Sequence, residues 1–209
     1  MKIAVVCANG KAGSLITKEA LSRGLDVTAV VRGENRSGVA QTIIKDLFEL
    51  TPADLAPFDV VVDAAGGWTA DTVGVIPKAA RHLCAILAGT VKQLLVVGGA
   101  GSLFVNKEHT LTVADGAAFP ASFKPLAQAH QEALTFLRTQ KDVAWTYISP
   151  AADFRADGER TGQYTLAGEE LALNAKGEST ISYADYAVAV ADEITSAKHV
   201  GQRISVVSK

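Results

Sequence analysis

The stretch Cys7-Ala8-Asn9-Gly10-Lys11-Ala12-Gly13, CANGKAG, decides how this chain is read. Before it runs Ile3-Ala4-Val5-Val6, short and rich in β-branched residues, the pattern of a buried strand. After it, Ser14 to Arg23 carries Leu15, Ile16, Ala20 and Leu21 at helical spacing, and Gly24 stands where a helix is capped. The order is strand, glycine turn, helix. Such a turn needs glycine because the backbone swings sharply while something approaches it closely. Glycine accepts positive φ and presents no Cβ. The helix start adds free N–H groups and a partial positive charge, which suits a phosphate. Gly10 and Gly13 are in place, but the position three before Gly10 holds Cys7.

Working outward, apolar runs alternate with helix-period segments. Strands are expected at 26–31 (DVTAVV), 42–45 (TIIK), 58–65 (FDVVVDAA), 93–99 (QLLVVGG) and 144–149 (AWTYIS). Helices are expected at 70–90, with Pro77 a kink or an early break, and at 125–140. Val60-Val61-Val62 is apolar on both faces, as a parallel sheet covered twice requires. This rhythm predicts an α/β, Rossmann-type, doubly wound parallel sheet. After Pro150 the rhythm changes. Residues 154–171 are rich in Gly and charge and read as loops with a short strand. Residues 182–194 read as a helix with a Ser182/Asp185 capping box, and 203–207 as a closing strand. We therefore expect one domain over 1–209. It has a core at 1–150 and a small C-terminal appendage at 151–209, lying over the carboxyl edge of the sheet where ligands bind.

Composition narrows the function classes. The chain has 209 residues, is 48% hydrophobic and 20% charged, and carries a net charge of −2. Basic residues are scattered and balanced by acids, which argues against nucleic acid as a partner. No apolar run reaches the roughly 18 residues a membrane helix needs, and IAVVCA is too short for a signal peptide. Cys7 and Cys84 form no metal or CxxC spacing and read as reduced thiols of a cytoplasmic protein.

The turn in its strand-helix-strand context points to a dinucleotide. The end of the second strand then bears on which one. An Asp or Glu about 20 residues past the glycines would accept from a ribose 2′-OH. The residue nineteen after Gly13 is Arg32, which cannot accept but can pair with a 2′-phosphate. Arg36 and Lys11 lie close in sequence, with Glu34 between. The expected cofactor is NADP, with NAD possible.

CANGKAG, VVR, KDLFE, VVDAAGGW, LLVVGGAGSL, WTYISPAADF, GERTGQY and ISYADYAVAVADEI occur in that order across nearly the whole chain. With these motifs the chain resembles the atypical short-chain dehydrogenase/reductases. The branch is that of NmrA-like NAD(P)-binding proteins and bacterial NADH-flavin reductases, with biliverdin-IXβ/flavin reductase more distant. In that group the turn usually reads Gly-Ala-Thr-Gly-x-x-Gly, so Cys7 and Asn9 are departures. The resemblance implies that Asn9, Gly10, Lys11, Ala12 and Gly13 line the pyrophosphate and Arg32 meets the 2′-phosphate. It implies Asp46 and Leu47 beside adenine, and Ala64, Ala65 and Gly66 under the cofactor. Ser149, Pro150, Ala151 and Ala152 would flank the nicotinamide, with Ser102 near it as the candidate catalytic residue.

Short-chain dehydrogenases commonly use Tyr-x-x-x-Lys as a proton shuttle. Here Tyr147, Tyr164, Tyr183 and Tyr186 are followed four residues on by Ala151, Gly168, Ala187 and Val190. Direct hydride transfer to a flavin or quinone tolerates that loss. The expected activity is reduction of such a planar acceptor, by a monomer or homodimer. The alternatives are an NmrA-like redox sensor without catalysis and an epimerase or dehydratase acting on a sugar nucleotide. Trp68, Phe104, Phe119 and Phe154 could stack on a planar substrate or serve as core and lid packing. His109 and His130 read as solvated or packed, and Asp115 and Asp153 lack carboxylate partners. The spacing shows no metal cluster.

Overall fold

Alternation within the first strand sets the layers. In the computed structural model, which describes residues 1–209, β1 (Lys2–Val6) sends Ile3 and Val5 into one core and Ala4 and Val6 into another. Side chains of a strand point alternately to opposite faces, so both faces of the sheet are dry and both are covered by helices. The chain continues through α1 (Lys11–Ser22), β2 (Asp26–Val31), β3 (Gln41–Ile44), α2 (Pro52–Leu55) and β4 (Val60–Asp63). It then runs through α3 (Val75–Leu87), β5 (Gln93–Val97), α4 (Lys124–Leu137) and β6 (Ala144–Ser149). The remaining elements are β7 (Asp153–Arg155), β8 (Tyr164–Ala167), β9 (Thr180–Ser182), α5 (Tyr183–Ser196) and β10 (Gln202–Ser208).

The main sheet has eight strands in the order β3-β2-β1-β4-β5-β6-β10-β8. Every pairing in it is parallel except β10 with β8. β1 pairs with β2 on one side and β4 on the other, so the strand order reverses there and leaves a crevice beyond their carboxyl ends. Helices α1 and α5 pack together on one face, α3 and α4 on the other. The end of α1 shows why it stops. Gly24 takes φ +73, its N–H donates to Leu21 O at 2.9 Å, and Leu25 N–H donates to Ala20 O at 3.2 Å. These are the two bonds of a Schellman cap.

Three local expectations are corrected. Helix α3 starts at Val75 rather than 70 because 67–74 forms a tight turn, with Thr72 and Val73 N–H both on Thr69 O at 2.9 Å. Pro77 therefore lies in the first helical turn, where no N–H is missed, and neither kinks nor breaks it. The capping box of α5 is only half formed. Ser182 Oγ accepts from Asp185 N–H at 2.9 Å. The Asp185 carboxylate instead turns away to accept from Thr161 N–H at 2.8 Å, Thr161 Oγ1 at 2.7 Å and Gly162 N–H at 2.7 Å.

The tail does two jobs. The parallel pair β7–β9 lies beside the crevice, while α5 and β10 complete the helix layer and the sheet. Without β10, the buried strand β6 would be an edge. Tyr186 on α5 is wholly buried and its hydroxyl donates to Ile148 O at 2.7 Å, tying that helix to β6. No helix is long and apolar enough to cross a membrane.

Asp185 is 2% exposed, and its removal strands two backbone N–H groups. Asp185→Ala should cost about 2–4 kcal/mol in urea unfolding. It should also open residues 158–163 to proteolysis before the rest of the chain. A loss below about 0.5 kcal/mol, the scale of an ordinary surface change, would refute the anchoring role.

Candidate functional site

The turn between β1 and α1 is held by one carbonyl. Gly10 N–H donates to Cys7 O at 2.9 Å. A Cβ on Gly10 would sit 3.2 Å from that oxygen, and one on Gly13 only 2.5 Å from it. Gly13 is thus required for space, while a side chain at Gly10 would be tight. Gly10 has φ −68, and the left-handed backbone falls on Cys7 instead, at φ 61. A non-glycine residue there costs roughly 1 kcal/mol, so this turn keeps its shape by local strain rather than by a first glycine. Helix α1 has no side-chain cap and no acid in its first turn. Its first N–H groups are left to face the crevice, a cradle for an anion. Burial pushes the half-buried Cys7 thiol up to about 12, aided by the Asp63 carboxyl, so it is a neutral thiol and no thiolate forms at the helix start.

A cavity of about 1120 Å³ runs along the carboxyl ends of the strands from this turn. Asn9, Gly10, Lys11 and Ala12 line it, while Gly13 lies behind them, against Cys7. Arg32, Asp46 and Leu47 line the end near β2 and β3. Ala64, Ala65 and Gly66 form a middle stretch, and Pro150, Ala151 and Ala152 lie toward β6. Ser149 is not on the wall. It is wholly buried, and its Oγ has no protein partner. Asn9 works differently from a pyrophosphate ligand: its Nδ2 donates to Glu34 O at 2.8 Å and its Oδ1 accepts from Arg36 N–H at 2.7 Å. It staples the glycine turn to the loop that carries Arg32. The Asp46 carboxylate caps the short turn Leu47–Glu49, accepting from Phe48 N–H at 2.9 Å. Arg32, Arg36 and Lys11 make no ion pair, so three cations stay available at this end.

The opposite end is built around a pair of glycines. A Cβ on Gly98 would lie 2.4 Å from the Tyr147 ring, and one on Gly99 would lie 2.7 Å from the His130 ring. The two glycines that follow β5 make room for these rings. Gly99 N–H donates to Tyr147 Oη at 3.0 Å, and Tyr147 Oη lies 3.2 Å from His130 Nδ1. His130 lines the cavity, where the sequence suggested only a packed or solvated ring. Its position on α4 is invisible to motif reading because its partner lies seventeen residues away on β6. Trp68, Phe119 and Phe154 line the cavity, as do Phe123 and Tyr183. Phe154 stacks on Tyr183 with centroids 3.7 Å apart. Phe104 is elsewhere, stacked on exposed His109 at 4.4 Å.

Ser102 is corrected. It is buried, off the cavity wall, and its Oγ accepts from Arg203 Nη1 at 3.2 Å. The buried Arg203 guanidinium also pairs with the Glu169 carboxylate, pulling the loop after β5 onto β10. Asp115 accepts from Thr112 within a short turn, and Asp153 pairs with Arg155 at 2.7 Å. No group of three or more His, Cys, Asp or Glu is placed to hold a metal.

The reversed strand order, the glycine-cleared turn and the crevice beyond β1 and β4 together define a Rossmann-type dinucleotide-binding protein. Comparison with known proteins narrows this. The profile of the NAD(P)H-binding family matches residues 7–197. The chain belongs to that family, and a nicotinamide dinucleotide is its cofactor. It is 44% identical to the uncharacterised Bacillus subtilis protein YwnB, over 100% of this chain and 99% of that one. It is 49% identical to a Streptococcus pneumoniae TIGR4 protein provisionally named an NADH-flavin reductase, with TM-score 0.97 and full coverage of both chains. A Bacteroides thetaiotaomicron structure provisionally named an epimerase is 32% identical, with TM-score 0.82, 99% of this chain and 96% of that one covered.

One buried acid escaped the sequence reading. Asp63 ends β4, is 3% exposed, and has only Ala65 N–H, at 3.0 Å, as partner. Burial pushes its carboxyl up to about 7. The folded state then holds a proton that the unfolded chain releases near pH 4. The stability Asp63 confers is complete below that point and fades as pH rises toward 7, on the order of 3–4 kcal/mol at most. His130, held down to about 4 by burial, acts with the opposite slope between about 4 and 6.5. The difference between wild type and Asp63→Asn isolates the Asp63 contribution. The variant should gain relative stability between pH 5 and pH 8 in urea titrations; parallel profiles would refute the shift.

Proposed function

We propose that this protein is an NADPH-dependent oxidoreductase that reduces a planar acceptor, a flavin or quinone, by direct hydride transfer and without a Tyr-x-x-x-Lys shuttle. The observation that carries the reading is one continuous cavity with two unlike ends. One end has a glycine cradle and three unpaired cations. The other is walled by Trp68, Phe119, Phe123, Phe154 and Tyr183. A bound nicotinamide supplies the hydride, and this chain supplies position and exclusion of water. The α1 N-terminus and Lys11 hold the phosphates. Arg32, with Arg36, favours a 2′-phosphate. The aromatic walls favour a flat, apolar partner.

Tyrosine chemistry supports the missing shuttle. Tyr164 donates to Asp192 at 2.6 Å and Tyr186 to Ile148 O, both away from the cavity. Burial raises Tyr147 and Tyr183 above the ordinary phenol range. None has a lysine beside it to lower it. This counts against the epimerase reading that the Bacteroides relative's name invites. The same reading takes residues 1–209 as one functional domain. It puts the protein in the cytoplasm, where two unpaired thiols persist.

Two measurements test this. The purified chain should oxidise NADPH with FMN, riboflavin or menadione well above the rate without protein. Tight NADPH binding with no turnover of any of them would make it a sensor instead. Arg32→Glu should weaken NADPH binding about 10–100-fold while leaving NADH binding within about 2-fold. An unchanged NADPH/NADH ratio would remove Arg32 from the 2′-phosphate.

A further inference from the structure

The Tyr147–His130 pair is not explained by cofactor binding. Tyr147 is wholly buried on β6, yet its hydroxyl is placed on a residue of the cavity wall. We infer that Tyr147 locks His130 in the tautomer that presents Nε2–H to the cavity, as a fixed hydrogen-bond donor for the carbonyl oxygen or ring nitrogen of the acceptor.

The placement of the protons decides the tautomer. Tyr147 Oη already accepts from Gly99 N–H at 3.0 Å. Its own proton has two possible destinations, His130 Nδ1 at 3.2 Å and His130 O at 3.3 Å. The carbonyl is an interior acceptor of α4 and lies within reach of the helix N–H four residues on. Nδ1 is the stronger acceptor and has no other donor. A phenol O–H is also a better donor than an imidazole N–H, and the phenol oxygen already accepts one hydrogen bond, from Gly99. The proton therefore goes to Nδ1, which leaves the ring proton on Nε2. Nε2 has no protein partner and is not a sealed orphan, so it stays open to the cavity. Gly99, flush against the ring, and the buried phenol behind it fix the ring plane.

Burial holds the imidazolium form down, to about 4, with no charged neighbour contributing. His130 is thus neutral at physiological pH and offers a hydrogen bond without giving up its proton. Losing the proton would leave an imidazolate that nothing here stabilises, so the acceptor takes its proton from water. What His130 contributes is a preorganised dipole where negative charge grows on the acceptor. The inference rests on the oxidoreductase reading for its ligand, but the tautomer stands independently of it. It also restricts the acceptor to molecules with a carbonyl or ring nitrogen near the reacting position, which plain polycyclic hydrocarbons lack.

Nitrogen-15 NMR of histidine-labelled protein decides the tautomer: Nε2 should carry the proton and Nδ1 should not. The reverse pattern overturns the inference. Adding FMN or menadione to NADP⁺-saturated protein, a pair that cannot react, should shift the His130 Nε2–H resonance. No shift with either overturns it too. In turnover, His130→Ala should lower kcat about 10²-fold with NADPH affinity unchanged. His130→Gln, which restores an N–H donor, should recover at least about 10-fold of that, and Tyr147→Phe should behave like a milder His130→Ala. An undiminished kcat in His130→Ala overturns the donor role. A wild type that shows the Nε2–H tautomer and the FMN shift but no turnover would overturn the oxidoreductase reading and leave the donor assignment standing.

Discussion

The carbonyl oxygen of Cys7 is the point on which the molecule's arrangement turns. It accepts the hydrogen bond that closes the first turn, and it is the atom a side chain on Gly13 would strike, at 2.5 Å. Because the helix can come that close, α1 starts directly over the end of β1, and its free N–H groups face the crevice. Strand order does the rest. β2 and β4 flank β1 on opposite sides, so the strand order reverses at β1 and the crevice opens beyond it. The strain at Cys7 is part of this device. A cysteine at φ 61 keeps the tight turn with a side chain where glycine would leave none, and its thiol remains un-ionised.

A second close approach mirrors the first. Gly98 and Gly99 stand at the end of β5 as Gly10 and Gly13 stand after β1, but the space they clear is filled by protein rings. Tyr147 and His130 occupy it, so the far wall of the cavity is set by packing between β6 and α4. Helix α4 holds no tyrosine, so no Tyr-x-x-x-Lys pair stands on it. Here its cavity-facing residues are Leu126, Ala127 and His130. An apolar wall with one neutral donor suits hydride transfer better than proton abstraction from an alcohol, because such an abstraction needs a base of tuned pKa.

The C-terminal residues hold both ends in place. Arg203 on β10 reaches Ser102 and Glu169 and so fixes the loop that follows Gly98 and Gly99. Glu19 on α1, 7% exposed, accepts from Arg23 and Arg160, and Arg23 continues to Asp192 on α5. The buried Glu19 and Arg203 penalise any other arrangement because each would be left unpaired in a dry place. The tail is thus the clamp that keeps the cradle on α1 aligned with the wall on β6.

The sequence by itself determined what repeats locally. Short continuous apolar runs marked the parallel strands, helical spacing marked the helices between them, and the glycine turn in that setting marked the dinucleotide end. These are short-range properties, set by backbone geometry and by the period of a strand or helix. The tertiary structure alone decided what depends on distant partners. It took Ser102 off the cavity and gave it to Arg203, 101 residues later. It made Asn9 a staple to the Arg36 loop, buried Asp63 without a countercharge, and set His130 on Tyr147. Nothing in the spacing of these residues marks them. Their roles arise from burial and from contacts across the sheet, which have no period for a sequence to display.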